Sequence, residues 1–473
     1  MKKVSILHIS DIHKASDMSL NNLMRSLIRD RERWDEEGIR RPDYIVLSGD
    51  VIQGGKTEEE MSGQYEEAEE FLSNLCNEFL CGCRERMIIV PGNHDVSWPQ
   101  CGNCMEEVEV NDTTIKLYRQ HSEENPLRWK WDERKLFRIN SKDSYAHRFD
   151  RFVEFYNRFF KDIREFPSNP EQEAYCIAFL EDKICFACFN SCSQNDHLND
   201  AGAIHKDAIY SIDDELERYY GIGMLPIGVW HHNAYGDPYK SDYMSKAILD
   251  KLLEHHIKIG LFGHQHKSQI AEEYSDLLYP EDKRNRMLLV SSGTLFGGDS
   301  EQHKGIRRQY NIIEMELENG HADVSIHVRE DGNDDIFSDD PYWRARSLPG
   351  GAIRYQVKTK EVSEREILLR IDKDTREKKD YVYGIKALRS ADLKNEGARL
   401  MMNDYLTKLD SKTILTILSE PEEENHCFLL IAAIDKEHDV EAFERLKNSQ
   451  ILQQSIEKDA TLREQFMSLA NKF

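Results

Sequence analysis

Five short segments concentrate metal-binding residue types in the first two thirds of the 473-residue chain: Asp11-Ile12-His13, Gly49-Asp50, Gly92-Asn93-His94-Asp95, His231-His232 and Gly263-His264-Gln265-His266. Carboxylate, imidazole and a single amide oxygen suit hard-to-borderline divalent ions, Mn first, then Fe, Zn or Co, over a thiolate-seeking metal. Two such ions, roughly 3.5–4 Å apart, can clamp the attacking and leaving oxygens of an in-line phosphoryl displacement and ionise a water between them. That spacing requires one carboxylate to bridge.

Ligands so distant in sequence must be brought together by the elements that precede them. Each segment follows an apolar run rich in Val, Ile and Leu: Val4 to Ile9, Tyr44 to Leu47, Met87 to Val90, Ile227 to Trp230 and Ile257 to Phe262. Runs of this kind, bounded by Gly, Pro and polar residues, read as strands buried on both faces. Between them Leu20, Leu23, Met24, Leu27 and Ile28, then Met61, Tyr65, Ala68, Leu72, Leu75 and Phe79, recur at helical spacing. Thr57 with Glu60 has the form of a capping box. Alternating strand and helix predict an α/β sheet whose site lies at the strands' carboxyl ends. Met287–Ser292, Tyr310–Leu317 and Ala322–Val328 read as strands without ligands, completing a second sheet.

The ordered set D-x-H, G-D, G-N-H-D, H-H and G-H-x-H resembles the calcineurin-like metallophosphoesterase superfamily over roughly residues 1–330. The resemblance implies a four-layer αββα sandwich and a hydrolase with two divalent ions. By position it gives Asp11, His13 and His266 to one ion and Asn93, His231 and His264 to the other, with Asp50 bridging. It places His94 just outside the ligands, at the scissile phosphate, with Asp95 orienting it, and leaves His232 either toward the substrate side or behind the ligands. His8, His197, His205, His255 and His256 fit no motif and read as ordinary polar residues.

Lys+Arg 63 against Asp+Glu 87 gives a net charge of -24, which repels duplex DNA and anionic membranes unless basic residues are locally concentrated. Neither a signal-peptide apolar region after Met-Lys-Lys nor a membrane-spanning stretch is legible, so a cytoplasmic location and no membrane partner are expected. The ten cysteines are then expected as thiols. Cys76, Cys81, Cys83, Cys101 and Cys104 match no complete zinc pattern, and a structural zinc there stays open.

A long insertion separates the third and fourth motifs, from about residue 99 to 170, and carries Arg128, Trp129, Lys130 and Trp131. Residues 111–165 hold thirteen Lys/Arg against ten Asp/Glu, and basic residues interleaved with aromatics can cradle a phosphate backbone and stack bases. The competing reading is packing, since Phe149, Phe152, Val153, Tyr156, Phe159 and Phe160 fall at near-helical spacing. Residues 331–351 read as an acidic, turn-rich linker. Residues 352–473 read as a small α/β or α+β domain that binds a partner or self-associates, from the runs Ile367–Ile371, Tyr381–Ile385 and Phe428–Ile434 and the helical stretch Ala398–Leu418.

These features together predict a metal-dependent phosphoesterase acting on a phosphodiester: a nucleotide, a cyclic nucleotide or a nucleic acid. A nuclease subunit working with a partner is the first alternative. Protein phosphatase is weakened, because Gly49-Asp50-Val51-Ile52-Gln53-Gly54-Gly55 lacks the G-D-x-x-D-R-G of that branch. A non-catalytic scaffold is weakened because no ligand is missing. Phe189-Asn190-Ser191 with Ala201-Gly202 looks like the cyclic-nucleotide phosphodiesterase branch.

Overall fold

The computed structural model describes residues 2–12, 19–120, 125–236, 242–274, 285–296, 306–333, 340–347, 351–391, 393 and 395–473. His13 therefore lies outside the described residues. The chain divides into two compact units, Met1–Glu361 and Val362–Phe473.

The strands of the first unit begin with β1 (Lys2–Ile9), β2 (Tyr44–Ser48), β3 (Met87–Val90), β4 (Met105–Val108), β5 (Leu127–Lys130) and β6 (Lys135–Ile139). They continue with β7 (Tyr175–Phe179), β8 (Ile184–Cys188), β9 (Leu225–Val229), β10 (Ile259–Phe262) and β11 (Gln269–Tyr274). The last are β12 (Arg286–Ser291), β13 (Gln309–Glu318), β14 (His321–Asp331), β15 (Trp343–Ala345) and β16 (Ile353–Lys358). One sheet runs β15-β14-β13-β1-β2-β3, with β16 also on β14, and a second runs β11-β12-β10-β9-β8-β7. Strands β1, β2 and β3 are parallel, as are β8, β9, β10 and β12.

Four layers follow from where the apolar faces meet. Val4, Ile6, Val46 and Val90 from the first sheet pack against Ile227, Val229 and Leu261 of the second. Alternate residues of the first sheet, Leu7, Ile9, Ile45 and Leu47, face the helices Leu20–Glu37 and Glu58–Leu80 through Leu23, Leu27, Leu72 and Leu75. The outer face of the second sheet packs on helices Asp213–Gly221 and Lys246–Glu254 through Leu216, Leu249 and Leu252. Thr57 caps the helix Glu58–Leu80 by accepting from the Glu60 N–H at 3.2 Å.

Three expectations need correction. Strands β13 and β14 join the first sheet, not the second, because β13 zips antiparallel along β1 with Leu7 opposite Ile312; β12 joins the second. The stretch expected as linker and domain start contains β15 and β16, both paired to β14, so the first unit runs to Glu361. The second unit is helical in its described residues, and Ile367–Ile371, Tyr381–Ile385 and Phe428–Ile434 lie in helices Glu364–Lys378, Tyr381–Ser390 and Glu424–Glu437. Local capping decides the first two: Ser363 and Glu366 form a reciprocal capping box, and Asp380 accepts from the Tyr383 N–H.

The insertion combines a small sheet, β4-β6-β5, with a helix Asp150–Phe159. That helix buries Phe152, Phe155, Tyr156 and Phe159, and Phe155 stacks on Tyr65 of the helix Glu58–Leu80 with centroids 5.0 Å apart. Here the packing reading of the aromatic stripe holds. Among the described residues no helix is long and apolar enough to cross a membrane.

Candidate metal centre

Asp11, Asp50, Asn93, His231 and His264 each stand two or three residues beyond the end of β1, β2, β3, β9 and β10, so both sheets deliver candidate ligands to one edge. The loops are cross-tied: the Asp11 N–H donates to the Gly49 carbonyl and the Ile12 N–H to the Asp50 carbonyl, both at 3.1 Å, and the Gly263 N–H donates to the His231 carbonyl at 2.9 Å. Asp11, Asp50, His264 and His266 all hold positive φ, between 51° and 73°. Left-handed backbone at four non-glycine residues is strain of the kind that surrounding structure must over-determine, and it clusters at functional sites. Gly92 is required by proximity, since a Cβ there would overlap the Asp50 carboxylate.

The side chains converge in two groups that share the buried centre. Asp11, Asp50 and His231 bring ligand atoms within 4.8 Å of one another. His266 Nε2 lies 3.3 Å from Asp11 Oδ1, and His231 Nε2 lies 3.1 Å from Asp50 Oδ2. Asn93 Oδ1 is 2.9 Å from both His231 Nε2 and His264 Nδ1, which are 3.3 Å from each other. His231 Nδ1 is 2.9 Å from the Ser48 carbonyl, which can only accept, so Nδ1 carries a proton and Nε2 is the nitrogen turned toward Asp50 and Asn93.

Charge is arranged to match. Burial pushes His231 down, but the Asp50 carboxylate outweighs it and holds the ring up at about 9. Burial lowers His264 to about 3, with the neighbouring His231 adding to the fall. Burial raises Asp11, yet the hydrogen bond and charge of His266 leave its carboxyl below the ordinary carboxylate value. Two buried carboxylates thus draw positive charge to a cluster of oxygen and imidazole donors, and this donor chemistry fits a pair of divalent ions.

His94 and Asp95 divide their roles differently from the expectation. His94 is half-buried; its N–H donates to Asp50 Oδ1 at 2.9 Å and its Nδ1 is 2.8 Å from the Gln53 carbonyl. That carbonyl, not Asp95, fixes the ring. Asp95 is fully buried and accepts from the Gly92 N–H at 2.8 Å, the Val51 N–H at 3.2 Å and the Tyr65 hydroxyl at 2.9 Å, so it clamps the loops that carry Asn93 and Asp50. Burial and the Asp50 charge push its carboxyl up to about 7.

Of the expected substrate contacts, His232 is fully buried, with its ring 4.6 Å from that of His264. Arg128 is committed elsewhere, its Nε 2.6 Å from Asp196 in a nearly buried pair. Trp129 packs between Tyr118 and Trp131, and Lys130 pairs with Glu133. Trp131 alone of the four is open, at 78% exposure. The convergent group contains no cysteine; Cys76 is buried on its helix and Cys101 and Cys104 pack with Tyr145 and Phe149. Sequence reasoning missed the Ser48 and Gln53 carbonyls, which carry no side-chain signal, and Trp98. That ring, 47% exposed, stacks beside His94 with centroids 6.4 Å apart; its place three residues after Asp95 was the available clue.

The αββα layers and this donor set are those of a metal-binding phosphoester hydrolase. The model of the calcineurin-like phosphoesterases matches residues 4–268, over half of the chain, and the chain belongs to that family, whose members are in general dimetal phosphoester hydrolases. Similar solved structures include the GAP50 anchor of the inner membrane complex of Plasmodium, 12% identical, covering 77% of this chain and 91% of that one with a TM-score of 0.33. A dimetal phosphatase from Danio rerio is 12% identical, covering 68% and 96%, with a TM-score of 0.33. The calcineurin-like phosphoesterase YfkN from Bacillus subtilis is 12% identical, covering 81% and 99%, with a TM-score of 0.30. No curated protein matches the chain.

Proposed function

We propose that this protein hydrolyses phosphodiester bonds of a nucleotide, cyclic nucleotide or nucleic acid. Asp11, His13 and His266 would hold one divalent ion and Asn93, His231 and His264 the other, with Asp50 between them and Mn favoured. When bound, such ions supply Lewis-acid polarisation of the phosphoryl oxygens and lower the pKa of water. The observation that carries the reading is the convergence of Asp50, Asn93, His231 and His264 beside a half-buried His94. With Nδ1 of His94 held by the Gln53 carbonyl, the reading assigns Nε2 to the phosphoryl or leaving oxygen.

A diester is favoured over a monoester dianion by the loop after Asp50. Val51 and Ile52 are buried and Gln53 is uncharged, so the residues next to Asp50 bring no cation to a second phosphate charge, and Lys56 further along the loop is exposed. Trp98 beside His94 offers an aromatic face to a base-bearing leaving group. The nucleic-acid version of the reading is supported by exposed Trp131. A Mn-supplemented panel of an aryl phosphodiester, an aryl phosphomonoester, cyclic nucleotides, and single- and double-stranded DNA tests it: the diesters should be cleaved fastest, and turnover confined to the monoester would overturn it.

A further inference from the structure

Ser191 is fully buried, and its hydroxyl oxygen is 3.1 Å from the N–H of His231, 3.1 Å from the N–H of His232 and 2.9 Å from Nδ1 of His232. Both backbone N–H groups must donate, which uses the two lone pairs of the hydroxyl; its own proton is then left for His232 Nδ1. His232 is thereby fixed as the tautomer protonated at Nε2. One hydroxyl sets both the backbone of the metal-ligand histidine and the ring packed on His264.

The loop carrying Ser191 is held by the insertion, at its far end. Asp196, with a fully buried side chain, takes Arg128 Nε at 2.6 Å and the Tyr145 hydroxyl at 2.6 Å on the same carboxylate oxygen. Arg148, also fully buried, donates to the carbonyls of Ser193 at 2.8 Å and Asn195 at 3.2 Å, and its guanidinium lies over the Tyr145 ring at 3.9 Å. Two buried cations from the insertion therefore terminate on one loop. Back toward the centre, the Ala203 N–H donates to the Ser191 carbonyl at 2.9 Å, and Gly202 lies so close to His232 that a Cβ there would overlap it.

We infer that the insertion is a clasp for the metal centre: Arg128, Tyr145 and Arg148 hold the Asp196 loop, and Ser191 on that loop is the positioning residue for His231 and His232. This rests on the two-metal reading of the site. The basic residues counted toward nucleic-acid binding are in part structural cations pointing inward, and the insertion reaches the reaction through ligand geometry.

The test uses the full chain with Ser191→Ala, Asp196→Asn and Tyr145→Phe, each compared with wild type by Mn titration followed calorimetrically, by thermal melting and by imidazole ¹⁵N NMR. In wild type the His232 ring, assigned by the loss of its signals in His232→Gln, should have its unprotonated nitrogen at Nδ1, as the rings of His205 and His426 do where they accept from backbone N–H groups, and Ser191→Ala should lose the His232 signature. Asp196→Asn should weaken the weaker Mn site at least tenfold, with activity recovered at raised Mn, and Tyr145→Phe should shift it in the same direction by less. Unchanged Mn affinity together with an unchanged tautomer in the folded variants overturns the clasp. Should Asp196→Asn fail to fold, Tyr145→Phe, which removes one hydroxyl from the network, decides alone by the same criteria. A wild type that binds no Mn would instead overturn the two-metal reading, while the tautomer result would still judge the role of Ser191.

Discussion

Replacing His94 by alanine should lower turnover far more than it lowers stability, and the structure sets both magnitudes. The ring's contacts include a hydrogen bond with the carbonyl of the exposed Gln53 and a loose stack with Trp98. A hydrogen bond contributes about 0.5–1.5 kcal/mol and an aromatic contact about 0.5–1.5 kcal/mol, so these two contacts account for ~1–3 kcal/mol of stability. The backbone N–H that supports Asp50 survives the substitution. A general acid or transition-state contact accounts for roughly 10²–10⁴-fold in rate, or about 3–5 kcal/mol of barrier. Metal content should stay at the wild-type level. If His94 protonates the leaving oxygen, the loss is largest for a nucleoside diester and small for a nitrophenyl diester, whose leaving group needs no proton. Steady-state kinetics on both substrates, with melting curves alongside, make the comparison. Equal losses on the two substrates would refute proton donation, and unchanged turnover would remove His94 from the chemistry.

The remaining expectations concern the ligands, the insertion and pH. Asp50→Asn and His264→Ala should each abolish hydrolysis and lower bound metal by elemental analysis, whereas variants that keep two ions and full turnover would remove the ligand assignment. Arg128→Ala leaves the Asp196 carboxylate buried without its cation and should cost about 3–5 kcal/mol in denaturant unfolding. Trp131→Ala, at an exposed site, should change stability by no more than about 0.5 kcal/mol, so selective loss of oligonucleotide cleavage over aryl-diester cleavage would place that ring on the substrate. Burial lowers His8 to about 3, below its unfolded value near 6.5; its contribution is fully present above that value and is lost as pH falls below it, by up to about 1.4 kcal/mol per pH unit. His8→Gln should therefore flatten the fall in melting temperature between pH 6.5 and 5, and an unchanged slope would refute this.

The αββα layers were legible because β1, β2, β3, β9 and β10 are buried on both faces and read as continuous apolar runs ending in candidate ligands. Which sheet β13 joined was not, because its burial pattern suits either sheet and only pairing with β1 decides. In the second unit, short apolar runs are ambiguous between strand and helix, and capping residues such as Ser363 and Asp380 resolve them. Arg128 shows the limit at the site: a basic residue beside tryptophan reads as a nucleic-acid contact, but its buried partner Asp196 lies 68 positions away and leaves no local trace. Ser191 likewise acts through contacts 40 and 41 positions away.

The most direct measurement is metal stoichiometry coupled to activity on the full chain: strip bound ions with chelator, titrate Mn back, and follow binding together with hydrolysis of an aryl phosphodiester. Activity that appears only as the second equivalent binds, and that Asp50→Asn does not regain, is the expected result. Full diester hydrolysis in the stripped protein, or saturation at a single equivalent with no further gain, would contradict a centre built from two ions.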